Sequence, residues 1–119
     1  MNKLNDFKKA VSNLEESLQI EKTNIVRDSA IKRFEICFDL AWKVIQEYAK
    51  DQGLRCYSPR ECIKTAFELK LFDYDETWLS MISRRNESVH IYNDKFADTL
   101  YDDLSDYLKR FKDLAAKLV

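Results

Sequence analysis

The chain holds one glycine, Gly53, and one proline, Pro59. Both fall in the stretch Asp51-Gln52-Gly53-Leu54-Arg55-Cys56-Tyr57-Ser58-Pro59, which reads as the clearest loop. Glycine is costly inside regular elements and proline breaks them. A chain that confines both to one place leaves the rest of its length free to be helical. Elsewhere apolar residues recur at spacings of three and four, the period of one helix face.

That pattern predicts five helices. The first runs from about Asn2 to Leu18, with Leu4, Phe7, Val11, Leu14 and Leu18 on one stripe. The second runs from about Asn24 to Lys50, with Ile31, Phe34, Phe38, Ala41, Ile45 and Tyr48 on a face and Gly53 just past its end, where a left-handed residue commonly stops a helix. The third starts with Ser58 as N-cap, Pro59 in the first turn and Glu61 three residues on, a capping box with proline at the first helical position, and ends near Lys70. The fourth begins between Asp73 and Asp75 and runs to about His90. The fifth runs from about Asp94 to Leu118, with Phe96, Leu100, Tyr107, Phe111, Leu114 and Leu118 as its apolar positions.

No repeat, low-complexity tract or linker divides the 119 residues, so one domain spans 1–119. The expected fold is all-α: an antiparallel up-and-down bundle of about five helices around a four-helix core. The alternative is a helical pair that needs a partner to close its core. Seven phenylalanines, six tyrosines and two tryptophans are enough for some to sit at a dimer surface.

Hydrophobic residues at 45% and charged residues at 34% exclude both a disordered chain and a membrane-embedded one. No apolar run approaches the roughly 20 residues that span a bilayer. The polar start Met1-Asn2-Lys3-Leu4-Asn5-Asp6 lacks the apolar core of a secretory signal, so the cytosol is the expected compartment. A net charge of −1 does not announce nucleic-acid binding, though a local basic cluster can sit on a neutral protein. Cys37, Cys56 and Cys62 contain no C-x-x-C pair. With one histidine in the chain, a zinc site is not expected, and in the cytosol neither is a disulfide framework. Cys37 reads as a small core residue and the other two as incidental.

The fourth helix is unusual. Its stripe reads Trp78, Ile82, Val89, Tyr92 and Phe96 if the helical register continues that far, and Arg85 falls inside it. A core-facing arginine is costly unless paired. Arg85 can pair with Glu35 or Asp39 of the second helix, or lay its stem along the bundle edge. His90 stands on another face, since five residues rotate a helix by about 140° beyond one full turn. Ser83, Asn86 and Asn93 share that polar face. Arg85 and His90 converge only if the helix breaks near Ser88. A lone histidine is commonly surface or filler. Yet imidazole serves as general acid or base near neutral pH, and a neighbouring guanidinium can hold a phosphate. Arginine, histidine and amides without metal ligands suit phosphodiester cleavage by the RNA 2′-hydroxyl. There is no glycine-rich phosphate loop, nucleophile elbow or H-E-x-x-H.

Arg85-x4-His90-x-Tyr92, with Asn86 directly after the arginine, resembles the R-x4-H-x-Y motif of HEPN-domain proteins. More closely, the chain resembles the nucleotidyltransferase substrate-binding group. Arg33-Phe34-Glu35 with Asp39-Leu40-Ala41-Trp42-Lys43, then Ser58-Pro59-Arg60-Glu61, then Trp78 ahead of Arg85-Asn86 match that group's blocks in order. Ile91 stands where the group often carries a small polar residue.

The resemblance implies a bundle that forms a homodimer or higher even oligomer, and a partner, a separate minimal nucleotidyltransferase chain. It implies one of two functions. In one, the chain is the toxin of a toxin–antitoxin pair: Arg85 and His90 carry metal-independent RNA cleavage, Asn86 supports them, and the partner silences the site by attaching AMP to Tyr92. In the other, the chain is a non-catalytic subunit that binds nucleotide or substrate for the nucleotidyltransferase, with Glu35, Asp39 and Trp42 lining a groove. Neither implies a metal, a cofactor or a membrane. Near-neutral charge confines any RNA contact to a cleft, with a shallow salt dependence. A third reading, from the residues alone, is a helical scaffold in which the motif is packing.

Overall fold

The computed structural model describes residues 2–91 and 93–118. They form five helices and no strand: α1 (Asn2–Leu18), α2 (Asn24–Asp51), α3 (Pro59–Glu68), α4 (Glu76–Ser88) and α5 (Asp94–Lys117). At 1.5 Å per residue the 28-residue α2 is about 42 Å long. It sets the long dimension of the molecule, 44 × 23 × 21 Å, and touches all four other helices.

Side-chain contacts give the topology. Lys3 meets Glu47 and Arg33 meets Glu16, so α1 runs antiparallel to α2. Arg85 with Asp39 and Ser88 with Glu35 set α4 antiparallel to α2, and Arg84 with Asp103 and Ser80 with Tyr107 set α5 antiparallel to α4. The all-α bundle expected from the sequence is therefore the fold.

Phe7, Val11 and Leu14 of α1, Phe34, Phe38, Ala41 and Ile45 of α2, and Leu100, Leu104, Tyr107, Phe111 and Leu114 of α5 are buried. The Phe34 and Tyr107 rings stack at 5.3 Å and Trp78 meets Phe111 edge-on at 5.8 Å, arrangements that add to area burial. Ile31, Tyr48, Phe96 and Leu118, read as stripe residues, are half-buried at the edges.

Helix ends follow local chemistry. Gly53 takes φ 83 just past α2. The Ser58 hydroxyl accepts the Glu61 N–H at 3.2 Å, half of the expected capping box; Glu61 returns to that hydroxyl and not to the Ser58 N–H.

Two expectations are corrected. Cys56 and Cys62 are not incidental: they form a disulfide, while Cys37 is the buried free thiol. The connection after Gly53 folds back onto the first turn of α3, with the Cys56 carbonyl held by Gln46 Nε2 at 2.8 Å, and this brings the two Cα atoms to 5.1 Å. Burial pushes the Cys37 thiol up to about 12. The apolar stripe of α4 also does not continue through Val89. The helix stops at Ser88, and Val89 is exposed. No helix among the described residues is long and apolar enough to cross a membrane.

Candidate functional site at the end of helix α4

The last turn of α4 lies against the middle of α2. Arg85 reaches across with two parallel hydrogen bonds to Asp39, Nε to Oδ1 and Nη2 to Oδ2, each 3.1 Å. This planar fork is the strong form of the arginine–carboxylate contact. It raises the arginine pKa above its ordinary value, first through the Asp39 hydrogen bonds, against a smaller opposing effect of burial. Of the two acids open to Arg85 in the sequence, Asp39 takes it. Glu35, one turn earlier, accepts the Ser88 hydroxyl at 2.7 Å and lies 3.7 Å from Lys32.

The Arg85 side chain keeps 30% of its surface exposed. Its third nitrogen, Nη1, makes no hydrogen bond among the described residues. The guanidinium therefore has one edge held by the protein and one edge open.

Beyond Ser88 the chain turns. The N–H groups of His90 and Ile91 both bond to the Glu87 carbonyl, at 3.0 and 2.8 Å. The break near Ser88 that convergence of Arg85 and His90 requires is present. His90 lies outside the helix with its side chain exposed, as is Asn86 on the last turn. No hydrogen bond joins Arg85 to His90 among the described residues. Tyr92 lies outside the described residues. Glu35, Asp39 and Trp42 follow one face of α2 at spacings of four and three. The first two meet α4. Trp42 is half-buried against the core, with the Lys43 ammonium 6.0 Å from its ring centre. No group of three or more His, Cys, Asp or Glu side chains among the described residues is placed to hold a metal.

Sequence reasoning missed Arg27. It is 2% exposed, near the start of α2, and all three of its nitrogens are occupied: Nε by Asp28 at 3.0 Å, Nη1 by Asp98 at 3.1 Å and Nη2 by Asp94 at 2.9 Å. These bonds, Asp94 first, raise its pKa despite burial. A signal was present. Arg27 precedes Ala30, Ile31 and Phe34 at helical spacing, and Asp94 and Asp98 lie one turn apart on α5. Asn93 caps α5 by accepting the Phe96 N–H at 2.8 Å. Between the Arg27 and Arg85 clusters lies a cleft of about 230 Å³ lined by Asp28, Ile31, Ser88, Ile91, Asn93 and Phe96.

The family model described as "Nucleotidyltransferase substrate binding protein like" matches residues 2–119. No curated protein matches the chain. A crystal structure of a Thermus thermophilus protein is similar at 33% identity and TM-score 0.88, over 94% of this chain and 98% of that one. A tri-AMPylated Shewanella oneidensis HEPN toxin, in complex with MNT antitoxin, is similar at 17% identity and TM-score 0.79, over 98% of this chain and 93% of that one. At 17% identity the likeness speaks for the fold.

Proposed function

Since the chain belongs to the nucleotidyltransferase substrate-binding-protein-like family, we propose that it is the HEPN-fold partner of a separate minimal nucleotidyltransferase chain and acts as the toxin of the pair, a metal-independent ribonuclease. The observation that carries this reading is the half-occupied guanidinium of Arg85. Asp39 fixes the fork on one edge, and the open edge can receive a phosphate in a planar, two-donor contact.

The chemistry is transesterification within the RNA. The 2′-oxygen attacks the adjacent phosphorus, the bond to the 5′-oxygen breaks, and a cyclic phosphate and a free 5′-hydroxyl result. Arg85 stabilises the charge that grows on the phosphoryl oxygens. His90, exposed in the turn after α4, exchanges the proton. Asn86, one residue from Arg85, supports the substrate from the exposed side of the same turn. Attachment of AMP to Tyr92 by the partner places a bulky anion two residues along the chain from His90 and silences the site. Association into a homodimer is supported by the exposed apolar residues Ile36, three residues before Asp39, and Val89 and Ile91, four and six residues after Arg85, at 43%, 45% and 40% exposure.

The second reading is a non-catalytic binding subunit. The Arg85–Asp39 fork favours it to the extent that a carboxylate already neutralises the arginine. Incubation with total RNA in chelator, beside Arg85→Ala and His90→Ala, separates the two. Cleavage by the wild type and by neither variant supports the toxin. No cleavage by protein whose Tyr92 carries no AMP by mass spectrometry supports the binding subunit.

A further inference from the structure

The connection that carries His90 is short, 89–93, and both of its ends are tied to the same helix. At its start, Arg85 bonds Asp39 and Ser88 bonds Glu35. At its end, Asn93 caps α5, and in the first two turns of α5 Asp94 and Asp98 both bond Arg27 of α2. We infer that Arg27 is a positioning residue for the His90 turn: its buried guanidinium clasps the start of α5 to α2 and so fixes the far end of the connection.

Three features favour this over a role in general packing. Arg27 is the one charged residue among those described that is buried to 2%, yet each of its α5 carboxylate partners is substantially exposed, Asp94 at 76% and Asp98 at 50%. The carboxylates could stay in water without it, so the arginine is not there to neutralise buried acids. Its partners also lie on two helices, and the first of the α5 pair, Asp94, stands immediately after Asn93. Finally, the guanidinium fork spreads its three nitrogens to three carboxylates, a geometry that an ammonium cannot copy. A turn closed at one end only would leave His90 free to move relative to α2 and α4, and displacements of about 1 Å are enough to cost catalysis on the order of a hundredfold.

The inference rests on the toxin reading for its catalytic consequence but not for its structural one, so two measurements are paired on Arg27→Lys and Asp94→Asn. Asp94→Asn removes one exposed partner and leaves the buried arginine in place, which keeps the test sound if Arg27→Lys folds poorly. Amide hydrogen exchange in 89–96 is expected to quicken by about tenfold in both variants while the α1 and α2 core amides keep their rates. Cleavage of an RNA oligonucleotide in chelator is expected to lose about tenfold in kcat with KM within about twofold, the mark of a displaced proton-transfer group and not of lost binding. Unchanged exchange in 89–96, or a rise shared equally by the whole chain, would overturn the inference. If the wild type cuts no RNA, the toxin reading fails alone and the exchange data still decide the role of Arg27.

Discussion

One arginine ties α2 to α5 and another ties α4 to α2, and they are finished differently. Arg27 is 2% exposed and spends all three nitrogens on three carboxylates. Arg85 is 30% exposed and spends two nitrogens on one carboxylate. A saturated guanidinium can only hold the protein together. One fixed along a single edge is oriented and still able to bind. On the proposed function the first serves architecture and the second chemistry, although both interrupt an apolar stripe in the same way.

The largest expected effect breaks the closed site. Replacing Asp94 and Asp98 together by alanine leaves a buried arginine with one carboxylate, and thermal melts are expected to show Tm lower by about 10 °C. An unchanged Tm would mean that Arg27 reaches water and that the two sites do not differ. Next, reducing Cys56–Cys62 removes a constraint on a short loop and is expected to cost about 2 kcal/mol in denaturant unfolding. That bond lies at the opposite end of α2 from Arg27, so amide exchange at 89–96 should hold its rate. Asp39→Asn comes third. The half-exposed Arg85 can turn to water, so the stability cost is expected to stay below about 1 kcal/mol, while RNA cleavage falls because the fork is no longer oriented.

The smallest effect is in pH. Asp98 is held below its ordinary carboxylate range by the hydrogen bond from Lys22 and then that from Arg27. Its folded pKa is depressed, so its contribution is complete above the unfolded value near about 4 and is lost as pH falls through the folded value. Acid titration of the Asp98→Asn variant should lack that step, with thermal melts as the readout.

Much of this was open to reading in the sequence because the rules involved are local. Apolar spacing gave the five helices, and Gly53 and Ser58-Pro59 marked their breaks. Arg85 stood out because it interrupts the stripe of Trp78 and Ile82. Three things went unread, the first two because tertiary contacts decide them. Arg27 sits beside Asp28 and looks like part of a solvated charge pair; only the approach of Asp94 and Asp98 from α5 buries it. Cys56 and Cys62 lack a motif spacing, and the fold of the loop is what pairs them. No glycine or proline marks the stop at Ser88. That stop follows from capping at both sides of the turn, by the Glu87 carbonyl before it and the Asn93 side chain after it.

On the proposed function Arg85, and not Arg27, takes the substrate phosphate. The most direct test is a titration of protein labelled at the arginine side chains with a 2′-O-methylated RNA oligonucleotide that cannot be cleaved, followed by the Nε–H resonances. A shift at Arg85 that saturates, with the Arg27 resonance in place, is the expected result. A shift at Arg27, or none at Arg85 while the RNA binds, would contradict it.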